Sequence, residues 1–233
     1  DIITKLKKFT VASVTPIIVD PSVVEVLMNT NVFYRGAETN LTPEQLRNVI
    51  TENLTQYRDT NSISKFGGTI RKSKLSTVVD AAERSITGNV TNLILRKRFD
   101  PAIGASAQYL LCYKNSFRKF CDEKTNISSS VFRTVNYPND DSYLENTEDG
   151  TIRIYTIDSN TATKKILIDN VGKVNFEKGD VTLDDIRFIS GSNQDNQIYI
   201  DAIPENDDIR AVREVYLNLS VENSLFQIFQ ENV

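Results

Sequence analysis

The strongest constraint on this chain is the stretch from residue 23 to residue 99, in which extended and helical patterns alternate with clear boundaries. It opens with residues 23–34, a run rich in β-branched and aromatic side chains. Because side chains on a strand alternate with period two, every second residue of this run shares one face. That predicted face is apolar and consists of Val24, Val26, Met28, Val32 and Tyr34.

Two amphipathic helices are predicted inside the same stretch. In the first, Thr42 suits the N-cap, Pro43 the first helical position, and Gln45 completes a capping box. In the second, Ser73 is the expected N-cap and Gly88 the residue that ends the helix. Each helix carries an apolar stripe at helical spacing. The stripes are Leu46, Val49, Ile50, Leu54 and Tyr57, and then Leu75, Val78, Val79, Ala82 and Ile86.

From residue 108 onward the sequence changes to short strand-like runs separated by turn residues, which is typical of antiparallel hairpins. The clearest hairpin spans residues 172–183, where Gly179 is available for a positive φ. Residues 137–150 are acidic and poor in apolar side chains, and we expect them to form an exposed loop. Residues 1–21 predict a further strand that ends in a turn at Asp20 and Pro21.

These patterns predict an α+β protein, with a mixed sheet that carries two amphipathic helices on one face and a β-rich antiparallel region after it. Asp100 and Pro101 interrupt the last strand of the first part, since proline removes a donor from the ladder. We therefore expect an α+β core over residues 1–100 and a β-rich domain over residues 101–233. The chain begins at Asp1 without methionine, and we expect it to be a segment of a longer protein.

The segments TPEQLRNVITENLTQY, FGGTIRKSKLSTVVDAAE and GNVTNLILRK, in that order after an extended strand, resemble the baseplate J-like family. Its members are structural proteins of contractile phage tails, and the chain resembles the C-terminal half of the wedge proteins of T-even phages. The hairpin at residues 172–179 also matches a recurring turn of the family, G-x-V-x-F-x-x-G. The resemblance implies a virion protein of the tail baseplate, made late in infection and assembled in the host cytoplasm. It implies no catalytic residue.

The composition excludes several classes of function. The chain has no histidine, which removes histidine-dependent triads and histidine-based metal sites. Cys112 and Cys121 have no zinc-binding spacing and read as free thiols, with a bridge as the alternative. A net charge of −4 is too balanced to indicate a nucleic-acid or anionic-membrane partner. No apolar run approaches the roughly 20 residues that a membrane helix needs. We therefore expect no catalytic residue, cofactor, metal or small-molecule substrate.

Three patterns resemble ligand sites but do not meet the requirements of one. The acidic segment from Glu145 resembles a calcium loop, but Thr156 stands where the bidentate carboxylate belongs. Gly67 and Gly68 precede a helix without the spacing of a phosphate loop, and they read as a turn. Adjacent aspartates at three turns are not positioned to face each other across a substrate.

The C-terminus carries a dense apolar cluster close to the last residue of the chain. After a predicted strand with Val215, Leu217, Leu219 and Val221 on one face, four apolar residues follow within five positions. They are Leu225, Phe226, Ile228 and Phe229. Side chains of this kind are not expected to remain in water. Either they fold back on their own subunit, or they form a two-fold contact with a second copy, which is the interface we predict.

The first functional hypothesis is a structural component of a baseplate wedge. The resemblance implies that copies form homodimer or ring contacts and bind other wedge proteins, linking wedges into a ring around the hub and rearranging when the tail contracts. The alternative is a β-rich module of a tail fibre or adhesin that binds a receptor or a carbohydrate. The two capped helices and the absence of tryptophan fit this alternative poorly.

Overall fold

A computed structural model describes residues 22–120, 124–159, 161–192, 195–212 and 214–231. The strand predicted within residues 1–21 and the state of Cys121 lie outside these ranges. Cys112 is a free, partly buried thiol, and burial raises its pKa with the help of neighbouring Asp180.

The described residues form fifteen strands, two α-helices and a short 3-10 helix at Gly36–Glu38. The helices are α1 (Pro43–Thr60) and α2 (Lys72–Asp80). The strands are β1 (Ser22–Arg35), β2 (Lys65–Phe66), β3 (Thr69–Arg71), β4 (Ile86–Phe99), β5 (Ser106–Cys112), β6 (Ile127–Ser129), β7 (Phe132–Thr134), β8 (Tyr137–Asn146), β9 (Thr151–Ile157), β10 (Lys164–Asn175), β11 (Asp180–Ser190), β12 (Ile198–Ala202), β13 (Asp208–Arg210), β14 (Val215–Leu219) and β15 (Leu225–Glu231).

Thirteen of these strands belong to one sheet, in the order β2-β14-β1-β4-β12-β6-β8-β7-β11-β10-β9, with β15 beside β1 and β5 beside β11. Strand β1 lies at the centre of the first half of this sheet. It pairs antiparallel with β4, and parallel with β14 along its first residues and β15 along its last. Strands β3 and β13 form a separate two-stranded sheet.

The second half of the sheet closes on itself. Strands β8, β7, β11, β10 and β9 pair in that order, and an additional pairing between β8 and β9 completes a barrel. Register shifts interrupt the pairing of β10 with β9 and of β11 with β5, and irregularities of this kind bend a strand. Inward-facing side chains fill the barrel, and among them Phe132, Leu144, Ile154, Leu183 and Phe188 are fully buried.

The predicted fold class is wrong. With 53% of residues in strands and 15% in helices, the protein is mostly β and contains a closed barrel. The prediction treated the first part as a helix-covered mixed sheet and the remainder as a separate antiparallel region. In the structure, strands β12, β14 and β15 return from beyond residue 100 to pair with β4 and β1. The division into domains 1–100 and 101–233 stays a prediction, and the sheet runs across it.

Local predictions for the first helix are confirmed. Thr42 caps α1, Pro43 occupies its first position, and Gln45 completes the capping box. Leu46 and Ile50 of α1 are buried, as predicted.

The predicted ends of the second helix are wrong. It begins at Lys72 directly after β3, has Arg71 as N-cap without a side-chain cap, and ends at Asp80. Gly88 lies in β4 instead. Val79 is buried as predicted, whereas Ala82 follows the helix and is only partly buried.

Two further predictions for the β-rich part have different outcomes. The hairpin around Gly179 is confirmed: β10 and β11 pair across it, and Gly179 has φ +67°. The acidic loop predicted for residues 137–150 is wrong, because most of it forms β8. The acidic side chains Asp140 and Asp141 are exposed, while Ser142 and Leu144 are buried. This barrel strand therefore contains exposed acidic side chains as well as buried ones.

Candidate functional site

The sheet around β1 has two faces that differ sharply in what covers them. The face formed by the even-numbered residues of β1 is buried together with Ile50 and Leu54 of α1 and Leu75 and Val79 of α2. The hydroxyls of Thr30 and Thr91 meet within this face at 3.1 Å, so its polar side chains are paired. The helices therefore cover this side of the sheet.

The opposite face, formed by the odd-numbered residues of β1 and their partners, is not covered by the helices, and we call it the open face. The paired strands add Phe66, Val90, Asn92, Leu225, Gln227 and Phe229 to it, through the ladder registers. Of the ten large apolar side chains that are exposed among the described residues, five lie here. These are Val23, Phe66, Val90, Leu225 and Phe229, with 40–55% of their surface exposed.

The apolar side chains of the open face form two groups, one at each end of β1. At the first end, Val23, Tyr216 and Phe66 are in register on three adjacent strands, and the rings of Phe66 and Tyr216 meet edge to face at 5.2 Å. At the other end, Phe33 of β1 stacks on Phe229 of β15 with ring centroids 5.8 Å apart. Leu27, between the two groups, is buried.

The structure divides the four predicted interface residues between the two faces. Leu225 and Phe229 lie on the open face with 52% and 43% of their surface exposed. Phe226 is buried on the covered face, where Ile228 also packs against the core. Alternation along β15 thus folds two of the four residues back on their own subunit and leaves the other two exposed. The two-fold contact with a second copy stays a prediction.

Strand β15 is also an edge of the described sheet, since β1 is its only partner there. Arg47 of α1 donates from Nε to the Phe226 carbonyl oxygen at 3.1 Å. A side chain therefore occupies one backbone acceptor of this strand. The interaction also ties the helix layer to the C-terminal strand.

Charged side chains on the open face are paired with each other. Arg98 donates two hydrogen bonds to the Glu25 carboxylate, and Arg96 donates two to Asp201 at 2.6 and 2.7 Å. Burial disfavours the charged form of Arg96, but the hydrogen bonds and charge of Asp201 outweigh it and raise its pKa. The Arg96 guanidinium also lies 3.8 Å from the centroid of the Tyr199 ring.

The residues of the open face that sequence reasoning missed are Val23, Phe66 and Val90. Val23 and Val90 belong to predicted strands, and the alternation along those strands carried a usable signal. Nothing in the sequence shows that the helices cover only the even face, so the odd face could not be identified as exposed. Phe66 precedes a glycine turn, and its pairing with Tyr216 joins residues far apart in the chain.

Side chains that bind metals are scattered over the described part of the chain. No three histidine, cysteine, aspartate or glutamate side chains come together there in a way that could hold a metal ion. Among the described helices, none is long and apolar enough to cross a bilayer.

The unit that contains the central strands and both helices matches a known family. Residues 23–98 match the family model described as baseplate structural protein gp6, C-terminal domain III. This range runs from β1 to β4, so it supplies the central strands of the open face. A search of the curated proteins finds no match. The family match confirms the resemblance seen in the sequence: over residues 23–98 the chain is similar to the baseplate structural protein gp6 family.

Proposed function

We propose that this chain links neighbouring baseplate wedges into a ring around the tail hub, and that it does so by contacts made through the open face. The proposal rests on the concentration of exposed apolar side chains on the open face. The central strands of this face lie within the residues that match a baseplate structural family. Exposed apolar patches rimmed by polar residues mark interaction sites on soluble proteins.

The open face has the dimensions of a protein interface. Strand β1 has 14 residues, which at about 3.3 Å per residue extend for about 46 Å. Three strands spaced about 4.8 Å apart give an area of roughly 650 Å², and β2 and β12 enlarge it. A standard interface buries about 800 Å² on each partner. The face is therefore large enough for a stable contact.

Its chemistry suits contact with a second copy of the same chain. In a two-fold contact the same patch meets itself, so a patch of one charge would repel its copy. Here the charged side chains are already paired within the subunit, and the polar residues between the apolar groups are the neutral amides Asn29, Asn31, Asn92 and Gln227. Amides donate and accept hydrogen bonds, so they are able to pair with their own copies.

A ring requires further contacts beyond one two-fold interface, and we propose that other wedge proteins bind elsewhere on the chain. Movement of the wedges on tail contraction would change these contacts while the barrel and the sheet remain intact. We also propose that the chain has no enzymatic activity and needs no cofactor. The structural character of the matched family supports this.

The test is the mass of the chain in solution, measured by light scattering over a range of concentrations. We expect a mass above the 26.3 kDa of one chain, and we expect Leu225→Glu combined with Phe229→Glu to lower it to that of a monomer. Both side chains are exposed in the single subunit, so the charges should leave folding intact. Deleting residues 224–233 is a less specific test, because it also removes the buried Phe226.

The matched control is Val135→Glu combined with Ile157→Glu. These side chains are exposed to a similar extent, 44% and 50%, but belong to the barrel region and not to the open face. We expect this variant to associate like wild type. A wild-type chain that is monomeric at all concentrations, or a Leu225 and Phe229 variant that stays oligomeric, would show that the open face is not a self-association surface.

A further inference from the structure

The backbone of β15 has alternate groups that point toward β1 and away from it. On the side of β1 that faces β14 and β15, the Val26 carbonyl oxygen accepts from the Ser220 N–H at 3.0 Å. Backbone directions alternate along a strand, so the other even-numbered residues of β1 also face that side. Thr30 is in register with Phe226 and therefore bonds to the residues on either side of it. The even-numbered residues of β15 are left pointing outward.

Three residues of β15 have outward backbone groups: Phe226, Ile228 and Gln230. The contact of Arg47, which donates to the Phe226 carbonyl oxygen from outside the ladder, agrees with this direction. The remaining outward N–H and C=O groups have no hydrogen-bond partner among the residues that the structure describes. A row of unpaired backbone groups of this kind is a template for pairing with another strand.

Strand β15 lacks the features that commonly keep an edge strand from pairing. It is seven residues long, contains no proline or lysine, and its only charged residue is Glu231 at its end. Unpaired edges are usually short, charged or interrupted by proline. Strand β2, which is also an edge of the described sheet, has only two residues. The edge of β15 is therefore suited to accept a further strand.

We propose that β15 pairs antiparallel with β15 of a second copy of the chain, across a two-fold axis at Ile228. The inference rests on the proposed self-association and specifies its geometry, because the sheet continues from one copy into the next. In this register Ile228 lies opposite its own copy, and Phe226 lies opposite Gln230 of the second copy. All outward residues then exchange hydrogen bonds. A carbonyl oxygen has two lone pairs, so the Phe226 oxygen also keeps its bond to Arg47.

The side chains at the seam between the two copies are compatible in this register. On the covered face, the two copies of Ile228 become neighbours. On the open face, Phe229 lies beside Gln227 of the second copy, and Leu225 lies beside Glu231 of the second copy. No two like charges are directly opposite, which would be unfavourable in a sheet.

Helix α1 leaves space for the second copy. Arg47, near the start of the helix, reaches Phe226, whereas Arg58, near its end, donates to the Leu219 carbonyl oxygen at 3.3 Å. The helix therefore runs away from the proposed axis at Ile228. Its copy runs in the opposite direction, because the axis is two-fold. The two helices diverge from the seam and do not lie on top of each other.

Hydrogen exchange of the backbone amides tests the pairing, at a low concentration where the chain is monomeric and at a high concentration where it associates. The N–H groups of Ile228 and Gln230 have no acceptor among the described residues, and they should exchange at least tenfold more slowly in the associated protein. The variant with Leu225→Glu and Phe229→Glu should show no such slowing at the same high concentration.

This measurement separates the edge pairing from the proposed function. Packing of two open faces covers side chains but gives the outward amides no acceptor. Unchanged exchange in an associated protein would therefore overturn the edge pairing and leave the proposed self-association intact. A chain that is monomeric at all concentrations would contradict both.

A proline substitution at the edge tests the same contact by mutation. Gln230→Pro removes an outward N–H and places a ring at the seam, without removing a bond between β15 and β1. We expect the dissociation constant of the dimer to rise at least tenfold while the chain remains folded. Equal association of this variant and wild type would overturn the proposal.

Leu110→Pro is the matched control, on the edge of β5. The Tyr113 N–H donates to the Gly179 carbonyl oxygen at 2.8 Å, so by alternation the Leu110 N–H points away from β11. Leu110 is 64% exposed. We expect this variant to associate like wild type, because β5 is not part of the proposed seam.

Cross-linking tests the position of the axis, in a chain whose own thiols are removed by Cys112→Ser and Cys121→Ser. Opposite residues of a hydrogen-bonded antiparallel pair have Cα atoms about 5.5 Å apart, within the roughly 4.4–6.8 Å that a disulfide spans. Ile228→Cys should therefore give a covalent dimer on mild oxidation. Gln230→Cys is the control, since its two copies would lie about 14 Å apart. More covalent dimer from Gln230→Cys than from Ile228→Cys would overturn the pairing across Ile228.

Discussion

The hydroxyl of Tyr113 donates a hydrogen bond to the backbone carbonyl oxygen of Ile200 at 2.6 Å, and both residues are fully buried. Tyr113 directly follows β5, which pairs with β11 of the barrel, whereas Ile200 lies in β12 beside β4. The bond therefore joins the barrel side of the protein to the sheet that carries the open face. The Phe117 ring packs edge to face against Tyr113 at 5.1 Å, and both rings are buried.

The first prediction concerns stability at alkaline pH. Burial, with a smaller contribution from the charge of Asp201, raises the pKa of Tyr113 well above its usual value. Above about pH 10 the unfolded chain loses this proton while the folded chain keeps it. Stability should then fall by up to about 1.4 kcal/mol for each pH unit from this group alone.

Urea unfolding between pH 8 and pH 11.5 measures this effect. Tyr113→Phe should be about 1–3 kcal/mol less stable at pH 8, because the Ile200 carbonyl loses its donor. Its stability should decline less steeply above pH 10, since phenylalanine has no proton to lose. Parallel curves for the two proteins would mean that Tyr113 ionises equally in both states.

The second prediction concerns the covered face. Ile50 of α1 is fully buried against the even-numbered residues of β1. Ile50→Asp places an unpaired carboxylate in this contact and should cost about 3–5 kcal/mol of unfolding free energy. Asn48→Asp, an exposed position of the same helix, is the control and should change stability by less than about 0.5 kcal/mol. Equal thermal unfolding temperatures for both variants would contradict this position of the helix.

Predictions from the sequence succeeded where a local signal decides the structure. The capping box of Thr42 and Gln45, the alternation of β1 and the turn at Gly179 each involve residues a few positions apart. The second helix was misplaced because its start is set by β3 and not by a side-chain cap: Lys72 continues directly from Arg71, and its backbone donates to the Asp207 carbonyl oxygen at 3.1 Å.

Pairings between distant residues escaped prediction for a physical reason. The parallel pairing of Phe33 with Phe229 and the barrel closure between Leu144 and Ile154 depend on which strands meet, and a period-two pattern is the same for every partner. The interface prediction shows the consequence. The sequence identified Leu225, Phe226, Ile228 and Phe229 as one apolar cluster, but their division between two faces becomes clear only when β15 is placed beside β1.

The third prediction tests that division directly. Phe226→Ala removes a buried ring and should cost about 3–5 kcal/mol. Phe229→Ala removes a side chain that is 43% exposed and stacks only on Phe33 among the rings, and it should cost about 1 kcal/mol in the monomer. Unfolding measured at low concentration, where association is minimal, should show this order. The reverse order would mean that the alternation of β15 is opposite to the one described.

The last prediction concerns Gly179, at the turn between β10 and β11. A Cβ atom there would lie 1.8 Å from the Asn115 carbonyl oxygen, and the residue has φ +67°. Its own carbonyl oxygen accepts from the backbone nitrogen of Tyr113 at 2.8 Å. The hairpin thus packs directly on the segment that supplies the hydrogen bond to Ile200, and only glycine allows so close an approach.

Gly104→Ala is the matched control for this position. Gly104 also has a positive φ, +75°, but a Cβ atom there would have no other atom within 4 Å, so the substitution introduces backbone strain alone. We expect Gly104→Ala to cost about 1 kcal/mol and Gly179→Ala at least about 3 kcal/mol, because the second must also separate the hairpin from Asn115. Chemical unfolding of both variants measures the difference. Equal losses would mean that φ alone requires glycine at residue 179, and that the hairpin can move away from Asn115 without cost.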